Sequence, residues 1–137
     1  MKIFVDTNIF IDILLDREPF SESSALIYKL CENSLVEGYI APITVNNIYY
    51  ICRKAHNIAA IKAFLHKISK DFTITPMDSL SIEKANKLST SDYEDALQYA
   101  MALQIGAEYL VTRNTKDFKH MTHIKVCTPE IFISEIG

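Results

Sequence analysis

Two stretches decide the fold of this chain: Ile3-Phe4-Val5-Asp6-Thr7-Asn8 near its start, and Tyr109-Leu110-Val111-Thr112-Arg113-Asn114-Thr115-Lys116-Asp117-Phe118 near its end. Each begins as a short unbroken apolar run and ends in polar and acidic residues. An apolar run without polar alternation reads as a strand covered on both faces, the habit of parallel sheets flanked by helices. In open sheets of that kind ligands gather outside the carboxyl ends of the strands. Carboxylates delivered to that edge from opposite ends of the chain point to a metal site.

Working outward, strand and helix signals alternate. Ile3–Val5 is the first strand, and Thr7 or Asn8 is expected to cap a short helix reaching about Leu15. A second helix is expected over about Ser21–Leu35, with Ile27, Leu30, Cys31 and Leu35 at helical spacing. Gly38 precedes a strand at Tyr39–Ala41. The third helix, about Thr44–Lys54, places Ile48, Ile51, Cys52 and Ala55 on one stripe. The fourth turns Ile58, Ile61, Leu65 and Ile68 inward. Phe72–Thr75 is a third strand ended by Pro76, and Asp78 caps a helix carrying Ile82, Ala85 and Leu88. Ser91 with Glu94 fits a capping box opening a helix over Asp92–Ile105, which Gly106 stops. Glu108–Thr112 and Ile124–Cys127 complete the strands, and Thr128-Pro129 opens a last short helix. The pattern predicts one domain over residues 1–137, an α/β fold of three layers (α/β/α) around a mainly parallel sheet of about five strands.

Composition narrows the class. The 137 residues suffice for a core without disulfide staples, and 49% hydrophobic with 23% charged residues is ordinary for a globular protein. No apolar stretch approaches the ~20 residues of a membrane span. The expected setting is cytoplasmic: a secretory pattern is missing at the N-terminus, and Cys31, Cys52 and Cys127 are scattered and odd in number. A net charge of −3 argues against gripping nucleic acid over the whole surface but leaves local contact open. Phosphate-loop, dinucleotide and nucleophile-elbow motifs are missing, so no nucleotide cofactor is expected.

The acids carry the chemistry. Asp6 leaves the first strand, Asp92 and Asp95 share the first turn of a helix, and Asn114 and Asp117 follow the fourth strand. Two like charges ~4 Å apart repel by about 4 kcal/mol at an effective dielectric near 20, so gathered carboxylates need a cation or raised pKa values. All-oxygen ligation suits Mg²⁺ or Mn²⁺, and a hard cation there suits phosphodiester hydrolysis. Plainer readings exist. The helix dipole alone favours Asp92, Glu94 and Asp95, and Asn114 and Asp117 suit turns. Asp6, ending a buried strand, still needs a partner.

Val5-Asp6-Thr7-Asn8, Asp92-Tyr93-Glu94-Asp95-Ala96-Leu97 and Thr112-Arg113-Asn114-Thr115-Lys116-Asp117-Phe118 together resemble the motifs of the PIN-domain family, in order and spacing over essentially the whole chain. Single-domain members of this size resemble VapC-like toxin ribonucleases of type II toxin–antitoxin modules. The resemblance implies Mg²⁺- or Mn²⁺-dependent cleavage of RNA leaving 5′ phosphate and 3′ hydroxyl ends, an antitoxin partner, and a homodimer. It implies catalytic and metal roles for Asp6, Asp95 and Asp117, with Asp92 auxiliary and Asn114 on the position usually held by an acid. Thr7, Asn8 and Thr112 would orient these acids by hydrogen bonds. One departure stands out: the family's glutamate on the helix after the second strand is replaced within Ile43-Thr44-Val45-Asn46-Asn47-Ile48, where Asn47 is its expected occupant. Asn47 brings no charge, which raises the alternative of a catalytically degenerate scaffold that binds RNA or a protein without cutting. A phosphoacceptor domain is a more distant alternative, lacking paired acids after the first strand.

Lys116 and Lys119 are expected RNA contacts near the site, within a basic segment that includes His120, His123 and Lys125, and Arg113 is expected either to contact an RNA phosphate or to pair with an acid. Lys62, His66, Lys67 and Lys70 line a helix face that solvent alone explains. His120 and His123 are too few for zinc. Tyr28, Tyr49 and Tyr50 suit base stacking or packing equally.

Overall fold

The computed structural model describes residues 1–90, 92–119 and 121–136. Five strands, β1 (Lys2–Val5), β2 (Glu37–Ile40), β3 (Thr73–Ile74), β4 (Tyr109–Val111) and β5 (Lys125–Cys127), form one sheet in the order β3-β2-β1-β4-β5. Every pairing is parallel, so the sheet is wholly rather than mainly parallel. Among the described residues six α-helices connect the strands and a seventh follows the last: α1 (Thr7–Leu14), α2 (Ser21–Glu32), α3 (Pro42–Cys52), α4 (Ile58–Asp71), α5 (Ser79–Asn86), α6 (Tyr93–Gln104) and α7 (Pro129–Ile136). A 3₁₀ turn spans Thr115–Phe118.

The helices cover both faces. Ile3 and Val5 pack into one core with Phe10, Ile27, Ile48, Cys52, Ile61, Ile68 and Phe132, drawn from α1 to α4 and α7. Phe4 and Leu110 point the other way, into a second core with Ala85 of α5 and Ala96, Tyr99, Ala100 and Met101 of α6. That two-sided burial is why β1 reads as an uninterrupted apolar run.

The order of the strands positions the site. From β1 the chain moves to β2 and β3 on one side, then crosses back through α5 and α6 to β4 on the other side of β1. Val5 and Val111 are register partners, so Asp6 and Thr112 leave adjacent strands side by side where the order reverses. The Asp6 amide donates to the Val111 carbonyl at 3.0 Å, holding the two strand ends together.

Several local expectations need correction. Asp6, rather than Thr7 or Asn8, stands at the N-cap of α1. Helix α2 stops at Glu32, leaving Leu35 69% exposed. Gly38 lies inside β2 instead of before it. A Cβ there would stand 2.6 Å from Phe72 Cδ2 and 2.7 Å from Cys31 Sγ, so only glycine lets α2 and the end of α4 close over the strand. On α3, Ile48 and Cys52 are buried but Ile51 is 47% exposed, and Ala55 falls beyond the helix. Ile58 at the start of α4 and Ile82 of α5 are exposed as well. Periodicity gives the spacing of an apolar stripe but not the angle at which the helix docks. Asp78 does cap α5, accepting from the Ser81 amide at 3.1 Å in a capping box. Helix α6 is capped by Asp92, whose Oδ1 accepts from the Asp95 amide at 3.2 Å. Ser91, from the expected capping box, and His120, from the basic segment, lie outside the described residues. The three cysteines are buried and free, and burial pushes the Cys31 thiol up to about 12 and that of Cys127 to about 11.

Candidate metal centre

A cavity of about 100 Å³ opens at the carboxyl edge of β1 and β4, lined by Asp6, Thr7, Asn8, Ile51, Asp92, Glu94, Asp95, Asn114 and Asp117. Four distant segments meet there, because β1 and β4 are adjacent, α6 crosses beside them and α3 brings Ile51. None of the described lining residues is basic.

Asp6 is the fixed point, with only 4% of its surface exposed. Its Oδ2 accepts from the Thr112 hydroxyl at 2.7 Å and its Oδ1 from the Gln98 amide nitrogen at 2.9 Å. Burial raises its pKa, these two hydrogen bonds oppose the rise, and Asp92 adds to it. Thr112 Oγ1 in turn accepts from the Asn114 amide at 3.1 Å, tying the second motif to the first. Because Gln98 must present its NH₂ to the carboxylate, its carbonyl oxygen is left buried without a partner among the described residues. Such an orphan costs roughly 1–3 kcal/mol, tolerated here to hold Asp6 in one orientation.

Asp95 carries the electrostatic load of the cavity. Burial pushes its carboxyl up to about 7, and Asp6, Asp92, Asp117 and Glu94 add to the rise. That four acids act on a fifth follows from the convergence of their carboxylates on one cavity. They converge loosely: among the described residues, no three His, Cys, Asp or Glu side chains form a ready-made cation cage.

Most of the expected site is therefore gathered: Asp6, Asp95, Asp117, Asp92, Asn114, Thr7 and Asn8 line the cavity and Thr112 orients Asp6. Asn47 is not among the lining residues. It is half-buried on α3, and Ile51, one turn later, meets the cavity instead. Arg113 is not a free phosphate contact. Its Nε and Nη2 donate to both oxygens of fully buried Asp12, at 2.7 and 3.1 Å, and its guanidinium lies 4.5 Å from the Phe20 ring centroid. A bidentate grip of that kind consumes the fork that a phosphate would need. Lys116 and Lys119 remain exposed on and just after the 3₁₀ turn, next to Asp117. Lys125 is paired with Glu135, and Lys67 with Glu32 and Asp71.

Three site residues escaped the sequence reading. Gln98 is three residues after Asp95 and so on the same face of α6, a spacing that could have disclosed it. Glu94 and Thr44 gave no such signal. Thr7 donates to Glu94 Oε2 at 3.0 Å and also meets Thr44 Oγ1 at 2.9 Å, contacts between segments far apart in the chain.

With that geometry in place, comparison with known proteins is decisive. A family profile described as PIN domain matches residues 2–116. The chain belongs to the PIN domain family. It is similar to Ribonuclease VapC1 of Aquifex aeolicus (strain VF5), 26% identical over 136 residues that cover 96% of this chain and 92% of that one. Among solved structures, VapBC2 from Rickettsia felis, bound to a DNA fragment from its promoter, superposes on this PIN domain with a TM-score of 0.71 at 19% identity. It covers 93% of this chain and 98% of the other. A toxin–antitoxin complex from Klebsiella pneumoniae gives a TM-score of 0.68 at 25% identity, over 93% and 97% of the two chains. The five-stranded parallel α/β architecture is thus that of the family.

Proposed function

We propose that this PIN domain is a divalent-cation-dependent endoribonuclease, and that it is the toxin of a toxin–antitoxin pair. The observation that carries the reading is the convergence of Asp6, Asp95 and Asp117 on one small cavity at the switch in strand order, with Asp92 and Asn114 beside them. Similarity to a ribonuclease and to toxin–antitoxin complexes supports it.

The residues fit a hard cation. Their donor atoms are all oxygen, and among the described residues each oxygen of Asp6 accepts one side-chain hydrogen bond, which leaves lone pairs on the carboxylate for a cation. Mg²⁺ keeps several waters and takes only one or two carboxylates, so a loose acidic pocket suits it better than a closed cage. Asp6, Asp95 and Asp117 would hold Mg²⁺ or Mn²⁺. When bound, such an ion would lower the pKa of water and neutralise charge on phosphoryl oxygens. The chain's own part is to hold and orient. Thr112 and Gln98 fix the Asp6 carboxylate, Asp92 fixes the start of α6 and with it Asp95, and exposed Lys116 and Lys119 would steady RNA phosphates beside the pocket.

RNA incubated with Mn²⁺ should be cut by the wild-type protein, and not in excess EDTA or by Asp6→Asn with an unchanged circular dichroism spectrum. Full activity in Asp6→Asn defeats the proposal. One observation favours a non-cutting scaffold instead: the α3 side of the pocket presents Ile51 and no acid. Absence of saturable Mn²⁺ binding at millimolar metal would leave that reading.

For the partner, similarity to a toxin–antitoxin complex supports an antitoxin. Homodimer formation belongs to the same proposal. Three buried free cysteines suit work in a reducing cytoplasm, and no described helix is long and apolar enough to cross a membrane.

A further inference from the structure

We infer that Glu94 is a cation-binding carboxylate of the pocket, taking the place of an acid that α3 does not supply, and that the buried hydroxyls of Thr7 and Thr44 aim it there. The inference rests on the cation-dependent reading above and extends its ligand set.

Glu94 is the second residue of α6. A glutamate so near a helix start ordinarily points into solvent, where the helix dipole favours it, or reaches back to the cap. Glu94 does neither. It is half-buried, lines the cavity, and accepts through Oε2 from Thr7 Oγ1 at 3.0 Å.

The proton count fixes the direction of the chain behind it. The Thr7 hydroxyl has one proton, and Glu94 receives it. The 2.9 Å contact between Thr7 and Thr44 must then be Thr44 donating to Thr7. Both threonines are buried, one at the start of α1 and the other in the first turn of α3. The hydrogen bonds thus run Thr44 to Thr7 to Glu94, and three elements converge to point one carboxylate at Asp6, Asp92, Asp95 and Asp117.

That arrangement is costly without a positive charge. Among the described residues no Lys or Arg pairs with Glu94, and like-charge repulsion favours swinging this flexible side chain outward. Hydroxyls that hold it inward make sense if the pocket receives a cation. Glu94 also answers the charge deficit on the α3 side, where Ile51 stands.

Titration calorimetry with MnCl₂ on the full chain tests this, comparing wild type, Asp6→Asn, Glu94→Gln and Thr7→Val. Glu94→Gln should weaken Mn²⁺ binding at least about tenfold with its melting temperature in EDTA not lowered. Thr7→Val, which keeps the charge but loses its aim, should weaken binding by a smaller factor, in the range of outer-shell losses. Saturable binding that Asp6→Asn abolishes and Glu94→Gln leaves unchanged overturns the role of Glu94 while the pocket reading stands. No saturable binding by wild type defeats the pocket reading itself.

Discussion

Replacing Asp95 by Asn should make the metal-free protein more stable at pH 8 while removing its function. Asp95 is buried in the first turn of α6 and its carboxyl is pushed from 3.8 up to about 7, first by burial and then by Asp6, Asp92, Asp117 and Glu94. For an acid raised in the folded state, the unfolded chain ionises first. The penalty is therefore absent below pH 3.8, grows as pH rises toward 7, and is complete above it. At about 1.4 kcal/mol per unit the displacement corresponds to as much as ~4 kcal/mol, and water in the open cavity reduces that to roughly 2–4 kcal/mol. Asparagine matches the side chain in shape without the charge, and the Asp92 cap bonds the backbone of residue 95, so it survives. Urea unfolding in EDTA should show the midpoint of Asp95→Asn raised by about 1–3 M at pH 8, for an m-value of roughly 1.5 kcal/mol/M, and nearly unmoved at pH 3.5. Equal midpoints at pH 8, or the same change at both pH values, would refute the electrostatic argument. The wild-type protein in EDTA should itself lose stability as pH climbs from about 4 to 7, since the Asp6 pKa is raised as well.

Arg113→Ala leaves fully buried Asp12, among the described residues, with Arg17 alone as an ion-pair partner, 3.7 Å away, and should cost about 2–4 kcal/mol in chemical denaturation. Arg113→Lys should recover part of that without the bidentate grip. Gly38→Ala should destabilise by roughly 1–3 kcal/mol, because its Cβ collides with Phe72 and Cys31, while Mn²⁺ binding of the folded fraction is unchanged. Tyr99→Phe should cost roughly 1–3 kcal/mol of unfolding free energy, since the Tyr99 hydroxyl accepts from the His123 and Ile124 amides at 2.8 and 3.0 Å.

The strand ends were legible because a doubly covered strand has a distinctive run of apolar residues and its last residue is placed by the sheet. Asp6 and Thr112 followed from that, whereas Asp95 at a helix start and Asp117 in a turn were singled out by the motif resemblance. Other features depend on partners that local sequence does not encode. Arg113 reads equally as a phosphate contact or as the partner of an acid, and only the fold shows that Asp12, 101 positions away, holds it. Ile51 and Ile58 satisfy the helical period, yet docking angle turns them outward. Gly38 suggested a strand boundary, but its reason is a close approach of Phe72 across the sheet. Glu94 passed for a helix-dipole acid, since only the meeting of α1, α3 and α6 reveals the hydroxyls behind it.

The central claim, that distant carboxylates form one cation pocket, is tested most directly by diffraction at the manganese absorption edge from crystals soaked in MnCl₂. An anomalous peak within bonding distance of both Asp6 and Asp95, lost in Asp6→Asn crystals, is the predicted result. A saturating soak that leaves the pocket without a peak, or places manganese only at other surface acids, would contradict it.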